Sequence, residues 1–218
     1  MILVVPWSYS PVLPVPVFAV LSGHSTRPTL ETRYSVRSTP VAMCLHDTMT
    51  SADLLADAFG RIKESVHGAV AGLTQDELAA RLDPESNSIA WLVWHLTRVQ
   101  DDHVADVAGA EQVWTEQGWA RRFDLSLDDA DTGYGHDSDD VARLGAVPAD
   151  LLLGYHDAVH ARTVEYVSGL TDADLPRVVD TRWDPPVTLG VRLVSVIDDD
   201  AQHSGQAAFI RGALLRRR

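Results

Sequence analysis

Cysteine is almost missing from this chain of 218 residues, with Cys44 standing alone. No intramolecular disulfide can form, and a reducing compartment, the cytoplasm, is the expectation. Lysine is reduced to Lys63, with arginine in its place. Positive charge as a whole is scarce: the formal net charge is -13. Nucleic acid is a poor partner for such a surface, because phosphate binding needs clustered Lys and Arg. The closing Arg216, Arg217 and Arg218 read as a solvated helix end. No apolar run approaches the roughly 20 residues that cross a bilayer, so no membrane span is expected. No segment reads as a credible strand.

What remains is a composition of 45% hydrophobic and 22% charged residues, which fits one globular domain with a sizeable core. Residues 1–48 stand apart. They hold six of the eleven prolines. The Pro-Val alternation around Pro11 to Val17 cannot continue a helix. This stretch reads as a disordered Pro-rich extension, with Met43 and Met49 as alternative starts, and residues 49–218 as the folded domain.

From Thr50 the apolar period becomes helical. A first long helix carries Leu55, Phe59, Ile62, Val66 and Ala69 and ends at Gly72. Thr74 and Glu77 form a capping box for a short piece. The same punctuation returns at Thr171 and Asp174, as if a helix-turn unit were used twice. A second long helix runs from Ser88 to Gly109 and a third from Ala149 to Gly169. Between them, residues 110–148 read as a long crossover with one short helix at 115–122 and a loop; Trp114, Trp119, Phe123 and Tyr134 could line a pocket there. Four long helices with one crossover predict an all-α four-helix bundle.

The fourth helix, Thr188 to Leu215, is the informative one. Val196, Asp199, His203, Ala207 and Ile210 share one face at about 100° per residue. A carboxylate and an imidazole therefore lie one turn apart on a stripe that should be buried. Burying an ionised carboxylate is costly unless something pairs with it, and a divalent metal is one such partner. His95, flanked by Trp91 and Trp94 on the second helix, adds a third N or O ligand, with Asp102 near the same face. Asp200 is an alternative to Asp199. His103 reads as a solvated edge, and His156-x-x-x-His160 as a second helical histidine pair of open role. Arg182 and Trp183, arriving beside the fourth helix, are candidate substrate contacts, as is Tyr134.

Ser88-Ile89-Ala90-Trp91-Leu92-Val93-Trp94-His95-Leu96 and His203-Ser204-Gly205-Gln206 resemble the DinB-like metalloprotein superfamily, most nearly its mycothiol-dependent S-transferase and maleylpyruvate isomerase branch. The resemblance covers roughly residues 51–215 and leaves the extension out. It implies a DinB-like bundle holding a divalent metal, usually Zn2+, through one His of the second helix and a pair on the fourth. His95 and His203 match; Asp199 stands where the family more often has His. It further implies mycothiol as thiol co-substrate, since Cys44 belongs to no motif. The function implied is a metal-dependent S-transferase, with Asp102 and Gln206 behind the ligands. A hydrolase using the same site on water, and a non-catalytic metal-binding stress-response protein, are the alternatives. The partners implied are a small-molecule thiol and an electrophile, with a homodimer left open.

Overall fold

The computed structural model describes residues 49–217, so the expected extension over 1–48 lies outside the described residues. The described chain is mostly helical. Helix α1 spans Ser51–Val70; Thr50 caps it in a box with Asp53, each satisfying the other's backbone N–H. Helix α2, Gln75–Ala79, opens on the same box between Thr74 and Glu77. Helix α3 spans Ile89–Ala108, capped by the Ser88 hydroxyl and closed by Gly109 in the left-handed region. Helix α7 spans Ala149–Ser168, and α8 runs over Leu189–Leu215 behind the cap of Thr188.

These four long helices close into a ring. Helix α1 packs on α7 and α8, and α3 packs on the other side of both. Helix α3 is buried along most of its length, as a helix with neighbours on several sides must be. It runs antiparallel to α8, because His95 meets His203 while His103 meets Arg192. It runs parallel to α7: Arg98 meets Tyr155 near its middle and Val107 meets Tyr166 near its end. Parallel neighbours need a connection that travels back along the bundle, and residues 110–148 supply it.

That crossover holds more structure than one helix and a loop. Helices α4 (Val113–Glu116), α5 (Trp119–Phe123) and α6 (Ser138–Ala142) are followed by a 3-10 turn at Arg143–Ala146. The single expected helix is split because Gly118 adopts φ +71. Trp114, Trp119 and Phe123 do not line a pocket; they pack around Tyr155 in the core. A two-stranded antiparallel ribbon, β1 (Val178–Asp180) with β2 (Val187–Thr188), corrects the expectation of no strand. Strands of three and two residues are too short to show a period of two. The second Thr-Asp box, Thr171 with Asp174, closes a turn and starts no helix. Among the described residues no helix is long and apolar enough to cross a membrane.

Candidate metal centre

His95 on α3 and Asp199 and His203 on α8 offer ligand atoms that all lie within 4.8 Å of one another. Helix geometry accounts for half of this: Asp199 and His203 are four residues apart and share a face. The packing of α3 on α8 supplies the rest.

The imidazoles are held by their outer nitrogens. His95 donates its Nδ1–H to the carbonyl of Thr132 in the crossover, at 2.5 Å. His203 donates Nδ1–H to Oε1 of Gln206 at 3.0 Å. An imidazole that spends Nδ1 on a hydrogen bond keeps the Nε2 lone pair for a metal. His203 Nε2 stands 3.6 Å from Asp199 Oδ1. The other carboxylate oxygen, Oδ2, is buried and has no hydrogen-bond partner among the described residues. Two imidazoles with free nitrogens and a carboxylate with an orphaned oxygen are a donor set that a divalent cation fits, with further coordination positions open, as catalytic zinc requires.

The two imidazoles differ in charge state. Burial pushes the pKa of His95 down, against the hydrogen bond to Thr132, and keeps the ring neutral. For His203 burial pulls down but the Asp199 carboxylate prevails, so its pKa is raised. A metal must displace that proton. Asp200 points elsewhere. It is fully buried, neither carboxylate oxygen has a partner among the described residues, and burial together with the Asp199 charge pushes its pKa well up. It is Asp199 that faces the imidazoles.

The crossover is fitted closely over His95. Gly133 adopts φ +90, and a Cβ there would lie 2.8 Å from His95 Nδ1 and 3.0 Å from the Trp94 ring. The His95 ring stacks on Trp91 with centroids 4.5 Å apart. Trp91 Nε1–H in turn donates to His136 Nδ1 at 3.0 Å, which leaves His136 Nε2–H to donate to Asp131 at 2.9 Å. Below this, buried Arg98 donates to the carbonyls of Asp129 and Asp131.

The other residues singled out in the sequence stand as follows. Gln206 is in contact with His203, as described. Asp102 accepts a hydrogen bond from Gln112 at 2.7 Å and has no hydrogen bond to His95 or His203. Arg182 commits its guanidinium to both oxygens of Asp180, at 3.0 and 2.8 Å. Trp183 is half-exposed on the turn of the ribbon, and Tyr134 is exposed next to Gly133. His103 is not a solvated edge. Its Nδ1 accepts from Arg192 at 2.7 Å, and Arg192 also reaches Asp180 at 3.2 Å. His156 is buried and His160 partly so, with ring centroids 6.4 Å apart. Among the described residues no second group of three His, Cys, Asp or Glu side chains converges as the first does. Sequence reasoning missed Thr132, which acts through its backbone, and Gly133, whose only signal is a glycine in a Thr-Gly-Tyr-Gly loop.

The family model for mycothiol-S-transferase matches residues 54–215. Among solved structures, a conserved protein from Enterococcus faecalis is similar at 32% identity and a TM-score of 0.70, over 75% of this chain and 96% of its own. No curated protein matches.

Proposed function

The chain belongs to the mycothiol-S-transferase family, and from that premise we propose that it holds one divalent metal at His95, Asp199 and His203 and transfers a low-molecular-weight thiol, mycothiol, to an electrophile. The observation that carries this reading is the pair of imidazoles whose Nδ1 atoms are engaged by Thr132 and Gln206 while a carboxylate oxygen beside them lacks a partner.

When bound, the ion supplies Lewis acidity that lowers the pKa of a coordinated thiol, so that a thiolate exists at neutral pH. The residues supply the conditions for it. Two neutral imidazoles and one carboxylate would meet a dication with a single negative charge between them. Thr132 and Gln206 keep both rings oriented. Trp91 shields one face of His95 from water. In the transfer the thiol proton passes to bulk water, the sulfur bonds to the electrophilic carbon, and the leaving group departs with its electron pair into solvent. Zinc is one ion that the N,N,O donor set suits, and Fe(II) is another that two imidazoles and a carboxylate hold.

Metal content by mass spectrometry on the purified chain and on His203→Ala is the test. About one equivalent of zinc in the wild type, lost in a variant that keeps its helical circular dichroism, is expected. Full stoichiometry in the variant refutes the ligand assignment. Turnover of electrophile that is independent of added thiol points to water as the nucleophile, and thus to a hydrolase.

A further inference from the structure

A groove of about 410 Å³ opens between α3 and α8 one turn beyond the metal ligands. Leu92 precedes His95 by three residues on α3, and Gln206 follows His203 by three on α8, so both helices carry the line of the metal centre into it. Leu82, Phe209 and Ile210 complete its apolar lining, with Gly205 between them. Its polar members are Ser86, Asn87 and Gln206, and no charged side chain lines it. Gln206 belongs to both places, since its carbonyl oxygen holds His203 and its side chain borders the groove.

In the opposite direction the same two helices carry different chemistry. His103 and Arg192 lie two turns along α3 and α8 from the ligands, joined to each other and, through Arg192, to Asp180. Arg192 stays protonated, so it must donate and His103 Nδ1 must accept; the histidine is neutral. The metal centre thus stands between a charged, hydrogen-bonding cluster and an apolar groove of the size that small molecules fill.

We propose that the groove takes the uncharged apolar body of the electrophilic co-substrate, an aryl or alkyl group. This rests on the transferase reading above and adds to it the class of electrophile. An anionic electrophile is disfavoured, because no cation lines the groove to replace the water it would lose. An arene loses no hydrogen bonds there.

Gly205 provides the means of testing it. A Cβ at this helical position meets nothing within 4 Å, so the side chain introduced by Gly205→Leu starts in open space at the groove it would narrow. Acetophenone, which cannot react, is titrated by ligand-observed NMR into the zinc-loaded full chain and into the variant, with zinc content measured in both. Transfer of mycothiol to phenacyl bromide is then compared with transfer to bromoacetate. In each the thiolate sulfur forms the new bond to carbon, the carbon–bromine bond breaks and bromide leaves. The expected results are acetophenone binding weakened about tenfold in Gly205→Leu at unchanged zinc content, and a raised KM with unaltered kcat for phenacyl bromide. Phenacyl bromide should be the better substrate. Acetophenone binding that is absent from the wild type, or undiminished in the variant, overturns the proposal, as does a preference for bromoacetate. Binding that the variant loses, in a protein that transfers no thiol, upholds the groove and overturns the transferase reading instead.

Discussion

Thr132 gives no side chain to the candidate metal centre and yet decides which nitrogen of His95 faces Asp199 and His203. Its carbonyl can approach only because the next residue has no side chain. A methyl group at Gly133 would lie 2.8 Å from the His95 ring and would also strain a backbone at φ +90. Gly133→Ala is therefore expected to lift the carbonyl from Nδ1 and weaken zinc binding about 10- to 100-fold, with the helices intact. Competition titration with a chromogenic chelator measures this; an unchanged zinc affinity would show that the contact does not orient the ligand. Residue by residue, the sequence disclosed side chains and concealed backbone. Asp199 and His203 were legible because helical spacing puts them on one face. The carbonyl of Thr132 has no signature, and the choice between Asp199 and Asp200 needed the angle at which α8 meets α3.

At the scale of elements, α3 is the spine on which the crossover hangs. Asp101 accepts the backbone N–H groups of Val113 and Trp114 and the hydroxyl of Tyr155, so it caps α4 from another helix. Helix α4 has no side-chain cap of its own. Arg98, fully buried, lies 3.7 Å from Asp101. Asp101→Asn removes the charge opposite a buried guanidinium and turns one acceptor oxygen into a donor. A loss of about 3 kcal/mol in urea unfolding is expected, because breaking a buried pair leaves an uncompensated charge. A loss within experimental error would mean that the carbonyls on Arg98 suffice. The four long helices could be read in sequence with accurate ends, because Thr50, Ser88, Gly109 and Thr188 cap three of them locally and Pro148 and Gly169 bound the fourth. The crossover helices, of four and five residues, could not, because each is shorter than two turns and α4 takes its cap from Asp101 on α3, and the ribbon could not, because its strands are shorter than the pattern that identifies strands.

For the molecule as a whole, the ring of helices encloses a titratable group that the metal centre does not use. His156 is fully buried, neither ring nitrogen has a partner among the described residues, and burial followed by the charge of His160 lowers its pKa to about 3. His67, Lys63 and Asp157 surround it electrostatically, the first two being paired with the third. The folded protein keeps this ring neutral, whereas the unfolded chain takes up a proton below about 6.5. Its contribution to stability is thus complete above that pH and is lost as the pH falls from there through about 3. Replacing it by an apolar residue of similar size, His156→Leu, should flatten the acid limb of the stability curve, by about 2 kcal/mol at pH 5. Parallel losses in both proteins between pH 6.5 and 4 would contradict this.

The hold of Arg98 on the crossover bears, finally, on where the folded chain can be cut. Proteases need a stretch of backbone that can be drawn out and extended, and irregular acidic loops usually offer one. Here the carbonyls of Asp129 and Asp131 end on a guanidinium with no exposure to solvent. Drawing out residues 129–133 means stripping a buried cation of its acceptors, an opening closer to global unfolding than to the breathing of a loop. Among the described residues, this long irregular segment is thus among the last that digestion of the native protein should reach.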